Sequence, residues 1–136
     1  MNPFVWKVRV YWEDTDAGGV VYHSRYLNFF ERTRTEWLRS IGIHQAKIAS
    51  EDNVLFAIRN MEIDFVQAAR LDDELDITVH SVNAGGVRMT LSQDMTRCSD
   101  RQQVASAKMT AVCLTADSFK PTRMPKWIRA EINNAK

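Results

Sequence analysis

The apolar residues of this chain change period at Ser24, and that change constrains the fold more than any other feature. Before it, Phe4, Trp6, Val8, Val10 and Trp12 alternate with residues such as Lys7 and Arg9, the mark of a half-buried strand. After it, Tyr26, Phe29, Phe30, Thr33, Trp37 and Ile41 recur mostly at three- and four-residue steps, which puts them on one face of a helix. Ser24 is the expected N-cap and Gly42 the expected stop, giving a helix of about five turns. A shorter helical stretch is expected from Ile43 to Ser50. Strand patterns then return at Met61, Ile63 and Phe65; at Leu75, Ile77 and Val79; and at Met89 and Leu91 after the Gly85-Gly86 turn. In the last run, Val104 to Ala116, the residues Ala105, Ala107, Met109, Ala111 and Cys113 share a face. Small side chains of that kind suit a strand with a helix directly across it. Pro125 is expected at the first position of a short final helix.

One long helix followed by strands in succession predicts an α+β fold, with the helix on one face of an antiparallel sheet of about five strands. A single helix leaves part of that sheet uncovered, so a second copy of the chain is expected to bury more of it.

The 136 residues fit a single domain spanning 1–136, and a hydrophobic fraction of 45% supports an ordinary core. Eighteen Lys and Arg against 17 Asp and Glu give no field that would draw nucleic acid or an anionic membrane surface. Cys98 and Cys113 have no metal-like spacing; free thiols are the favoured reading and a disulfide the minor one. The first residues lack the pattern of a signal peptide, and no run reaches the ~20 apolar residues of a membrane span. A cytoplasmic protein without a direct membrane span is expected.

The chemistry concentrates in Glu13 to His23, EDTDAGGVVYH, immediately before the helix. Three readings apply to Asp14 and Asp16. Turn composition alone accounts for an Asp-Thr-Asp string followed by glycines. Calcium fails, because a loop beginning at Asp14 puts Arg25 where a bidentate glutamate is required. In the catalytic reading, the seven-residue step from Asp16 to His23 folds a carboxylate back toward the helix N-terminus, with Gly18 and Gly19 permitting close backbone approach. Free N–H groups there would polarise a carbonyl, and Asp16 would attack that carbonyl or deprotonate a water that does. His23 is equally readable as an ordinary helix residue whose backbone alone matters. Phe29, Phe30 and Trp37 read as core, Glu31 as a surface partner of Arg34, and Arg70 to Glu74 as a solvated turn.

The stretch VRVYWEDTDAGGVVYHSRYLNFFERTRTEWLR closely resembles the acyl-CoA thioesterases of the hotdog fold. The resemblance is to the YbgC type associated with the Tol–Pal system, related to 4-hydroxybenzoyl-CoA thioesterases. NMEIDFVQAARLDDELDI and LTADSFKPTRMPKWI are similar to later segments of the same family, so the likeness covers nearly the whole chain. It implies a long central helix wrapped by a curved antiparallel sheet, in homo-oligomers that are dimers and often tetramers with sites at the subunit interface. It implies hydrolysis of acyl-CoA, or of a thioester on an acyl carrier protein, with no metal and no cofactor. Carried over by position, Asp16 is the catalytic carboxylate and His23 the helix-start residue whose N–H polarises the thioester. Gly19, Val20 and Tyr22 fall at the substrate, and Glu31 lies within the motif without a clear role.

Two departures stand out. Trp12 occupies a position that often holds tyrosine, and only Arg88 lies near the Gly85-Gly86 turn where some relatives carry a basic cluster. Arg59, Arg70, Lys108, Lys120 and Arg123 are the other candidates for CoA phosphates. An enoyl-CoA hydratase would need an Asp–His pair five residues apart, unlike the step here. A non-catalytic acyl-carrier-binding or scaffold module is the alternative of a different class.

Overall fold

The computed structural model describes residues 3–135. Strand β1 (Phe4–Arg9) leads through a 3-10 turn, Trp12–Asp14, into helix α1 (His23–Ser40) and the shorter α2 (Gln45–Glu51). Four strands follow, β2 (Val54–Phe65), β3 (Glu74–Ala84), β4 (Arg88–Arg97) and β5 (Gln103–Thr115), and then α3 (Lys126–Asn134). The strands form one sheet in the order β1-β3-β4-β5-β2, every pair antiparallel. The α+β architecture and the five strands are those expected.

The sheet holds α1 because the strand alternation and the helix period aim at one layer. Leu75, Ile77 and Val79 of β3 are buried, as are Met89, Leu91 and Met95 of β4 and Ala105, Ala107, Met109, Ala111 and Cys113 of β5. Against them lie Tyr26, Phe29, Phe30, Trp37 and Leu38 of α1. Complete burial of Phe29 and Phe30 contributes roughly 1.5–3 kcal/mol each. Register shifts at Ile58/Asn60, His80/Asn83 and Met95/Thr96 interrupt the ladders, and such bulges bend a sheet around what it covers. Both cysteines are free thiols. No helix among the described residues is long and apolar enough to cross a membrane.

Several boundaries differ from expectation. β1 stops at Arg9, and Trp12 enters the 3-10 turn with 79% of its surface exposed. Trp6 is exposed too, since β1 is a sheet edge with one neighbour. α2 begins at Gln45 rather than Ile43. β2 starts six residues before Asn60, because Val54 to Ile58 is too uniformly apolar to alternate and the bulge at Arg59 breaks the period. Pro125 is the residue preceding α3, not its first. Helix α1 begins at His23 with Tyr22, not Ser24, in the cap position.

Candidate active site

The two acids of the motif separate into different jobs. Asp14 is 4% exposed; its Oδ2 accepts the Tyr11 N–H at 2.8 Å and its carbonyl accepts the Tyr22 N–H at 3.0 Å. It is a brace that ties the 3-10 turn to the start of the helix. Asp16 is exposed and sits on a tight turn closed by Asp16 N–H to Val20 O at 2.9 Å and Gly19 N–H to Asp16 O at 3.0 Å.

Each glycine of that turn has its own reason. Gly19 adopts φ +78°, a left-handed conformation that costs other residues strain. Gly18 donates its N–H to Asp16 Oδ1 at 2.8 Å, and a Cβ there would lie 3.3 Å from the same oxygen. The carboxylate is thereby held by one oxygen, while Oδ2 has no partner among the described residues. It lines a cavity of about 310 Å³ with Trp12, Thr15, Ala17, Gly19 and Leu71.

Beyond the turn, the chain is stitched to the segment between β2 and β3. Val21 N–H reaches Ala69 O at 2.8 Å, Leu71 N–H reaches Gly19 O at 3.2 Å, and Val20 bridges Arg70. Ala69 N–H in turn donates to the Tyr26 hydroxyl at 3.0 Å. The segment is fixed by Arg97, whose Nε donates to Asp73 Oδ2 at 3.0 Å and whose Nη2 donates to Ala68 O at 2.7 Å. Asp73 also accepts the Arg70 N–H at 2.9 Å. The expected turn is present, with Arg70 and Asp72 exposed, and its Leu71 adds a second wall to the site.

Helix α1 then starts without a side-chain cap. Arg25 N–H turns back to Tyr22 O at 2.8 Å, but the N–H groups of His23 and Ser24 have no acceptor among the described residues. A helix N-terminus with unpartnered donors and an unopposed dipole attracts an anion or a developing oxyanion. The His23 imidazole is exposed and tilts against the Tyr22 ring, centroids 4.4 Å apart. It makes no hydrogen bond among the described residues.

Asp16 and Gly19 thus share a cavity, with Val20, Tyr22 and His23 following along the same path to the helix start. Arg59 and Arg88 are not brought to it. Arg59 sits at the bulge of β2 and Arg88 is exposed at the start of β4. The cation that the chain path carries to the cavity is Arg70, beside Leu71. Leu71 is a wall residue that no motif marks, and Trp12, which stands where tyrosine is common, is another. Glu31 and Arg34 form no ion pair, and Arg34 turns inward instead, its Nη1 donating to Gln93 Oε1 at 2.9 Å.

Antiparallel strands wrapped around one long helix are the arrangement of the hotdog fold. The chain matches the thioesterase-like superfamily over residues 10–132 and belongs to that family, as a thioester hydrolase. It is 38% identical over 135 residues to the acyl-CoA thioesterase YbgC of Haemophilus influenzae, covering 99% of this chain and 98% of that protein. It is 40% identical over 128 residues to the acyl-CoA thioester hydrolase YbgC of Escherichia coli O6:H1, covering 94% of each. The crystal structure of Slr0204, a 1,4-dihydroxy-2-naphthoyl-CoA thioesterase from Synechocystis, superposes with a TM-score of 0.88 over 98% of this chain and 97% of that one. At 23% identity that likeness bears on the fold alone.

Proposed function

We propose that this protein hydrolyses acyl-CoA thioesters, with Asp16 as nucleophile or general base and the open start of α1 as the oxyanion site. The observation that carries this reading is the half-free Asp16 carboxylate on a glycine-built turn leading into a helix whose first two N–H groups lack acceptors. The YbgC relatives, named as acyl-CoA thioesterases, support the substrate class.

As general base, Asp16 takes a proton from water while the water oxygen attacks the thioester carbon. As nucleophile, an Asp16 oxygen attacks first and water opens the resulting anhydride. In both routes the carbonyl oxygen gains negative charge that the His23 N–H, and the dipole behind it, stabilise. The C–S bond then breaks, the CoA thiolate leaves and is protonated, and the free acid remains. The chemistry consumes water and calls for no metal or organic cofactor. Gly19, Val20 and Tyr22 would border the acyl-thioester, with Arg70 nearer the CoA phosphates than Arg59 or Arg88 of the same protomer. An enoyl-CoA hydratase would need the imidazole as acid–base partner, and here it lies against Tyr22.

The rest of the reading concerns assembly. One thioesterase domain spans the chain, cytoplasmic, acting on CoA or acyl-carrier thioesters beside a Tol–Pal type system. The open edge of β2, with Ile58 and Phe65 exposed, is the surface on which two copies would pair and from which tetramers would build. Release of free thiol from acetyl through palmitoyl and benzoyl CoA, wild type beside Asp16→Asn, tests the activity. Turnover that depends on Asp16 is expected. Wild-type turnover in the variant, or none in either protein, would reject the reading.

A further inference from the structure

Midway along α1, well past the site just described, the helix carries a charge into the interior. Arg34 is 9% exposed, and its only hydrogen-bond partner among the described residues is a neutral amide. Gln93 is itself 1% exposed and uses its other end, Nε2, to donate to Phe30 O at 3.1 Å. No carboxylate lies within ion-pair distance of the guanidinium among the described residues. Glu31, one turn earlier, contributes its field only from a distance. Burial pushes the Arg34 guanidinium below its ordinary range, and the Glu31 charge offsets part of that. A buried, unpaired cation is costly, and proteins seldom keep one without a partner of opposite charge.

The remaining donors have a definite direction. Arg34 has five N–H groups, and the one at Nη1 goes to Gln93. Among the described residues no fully buried side-chain nitrogen or oxygen lacks a partner, so the unpaired nitrogens are not sealed in the core. They are accessible, and the space beside Arg34 is a cavity of about 240 Å³ between α1 and the sheet. Its wall is mixed: Trp37, Leu38, Phe56, Met89 and Met109 form an apolar side, and Glu31, Thr35 and Gln45 line it as well. A cavity that joins an apolar side to a buried cation with spare donors is a form that small-ligand sites take. Its volume is below the ~300–1,000 Å³ of drug-sized pockets, which limits the occupant to a small molecule.

We propose that the Arg34 cavity is a second binding site, for a small carboxylate with an aliphatic or aromatic body. The guanidinium fork matches a carboxylate in geometry, the carboxylate supplies the counter-charge Arg34 lacks, and the apolar side of the wall takes the body. The site is separate from the Asp16 cavity: the two share no wall residue, and Arg34 is eleven residues beyond His23, about 16 Å along the helix axis. Two molecules offer this chemistry, a free carboxylic acid and the far end of an acyl chain that itself bears a carboxylate.

Methionine methyl NMR tests the site directly, independently of hydrolysis, because Met89 and Met109 lie in its wall. The wild-type protein is titrated with hexanoate and, separately, with hexanol. Saturable shifts at the Met89 and Met109 methyls are expected, with hexanoate roughly 10- to 100-fold tighter than hexanol. Arg34→Met should abolish that preference and Arg34→Lys should retain part of it. The comparison of acid with alcohol needs no variant, so it stands if Arg34→Met fails to fold. Hydrolysis of adipoyl-CoA against hexanoyl-CoA then separates the sources. An adipoyl preference that disappears in Arg34→Met assigns the distal acyl end, and hexanoate binding without such a preference assigns the free acid. Methyls unmoved by hexanoate, or moved equally by hexanol, would overturn the proposal.

Discussion

Helix α1 ends in two different ways. At its C-terminus every device for closing a helix is present. Gly42 takes φ +85°, Ile43 N–H reaches back to Leu38 O at 2.9 Å, and Gly42 N–H bonds to Arg39 O at 3.1 Å. This is the Schellman arrangement, and Arg39 in the last turn complements the dipole. At its N-terminus Tyr22 offers no side-chain cap, no acid stands in the first turn, and two N–H groups remain open. A capping Ser, Asp or Asn in place of Tyr22 would add about 0.5–2 kcal/mol of stability. The end that forgoes this is the one beside Asp16. Stability is optimised at one end, and at the other it gives way to an available donor pair.

Four experiments would break or sharpen that contrast, beginning with the largest effect. Asp16→Asn should lower kcat/KM by roughly 10²–10⁴-fold. Because the amide can still accept the Gly18 N–H, the thermal midpoint should stay near wild type; a large drop in Tm would mean the carboxylate is structural, as Asp14 is. Gly42→Ala at the closed end should do the reverse. It forces a side chain into the left-handed region at a cost of about 1–2 kcal/mol, read by chemical denaturation, with kcat/KM unchanged.

Tyr22→Ser joins the two quantities. It should raise stability by about 0.5–1 kcal/mol and lower kcat, since the new hydroxyl competes for an open N–H. Gain of stability with full activity would separate the open donors from the chemistry. The smallest effect lies away from both ends, at the β1–β3 edge. There Lys7 Nζ at 2.9 Å, and Arg101 after it, hold the Asp76 carboxyl below the usual range. A depressed carboxyl stabilises the fold above its unfolded pKa of about 3.9 and loses that contribution as pH falls through the folded value. Tm measured from pH 6 down to pH 2.5 should therefore fall less in Asp76→Asn than in wild type.

The contrast between the two ends also marks what the sequence could convey. The closed end was legible, because Gly42 after a run of helical spacing is a local signal that the structure uses as expected. So were the buried face of α1 and the small-residue face of β5, both set by periodicity. The open end was misjudged by two residues, Ser24 being the better cap by preference and Tyr22 the cap that forms. Tertiary pairing overrides that preference, since Val21 N–H to Ala69 O and Tyr22 N–H to Asp14 O fix the chain before Ser24 is reached. The division of labour between Asp14 and Asp16 was hidden for a similar reason. Two identical side chains two residues apart differ only in which one the 3-10 turn buries. Arg97 bracing Asp73, and Arg34 facing Gln93 across 59 residues, are long-range partnerships that no local spacing encodes.

The most direct test of the open helix end is the response of its amides to a bound carbonyl. Asp16→Asn protein, labelled with ¹⁵N, would be titrated with an acyl-CoA analogue in which a methylene replaces the sulfur, leaving a ketone that cannot be hydrolysed. Downfield shifts of the His23 and Ser24 amide protons, larger than those elsewhere in α1, are predicted. Saturable binding that leaves both amides unmoved would contradict the placement of the oxyanion site at the start of this helix.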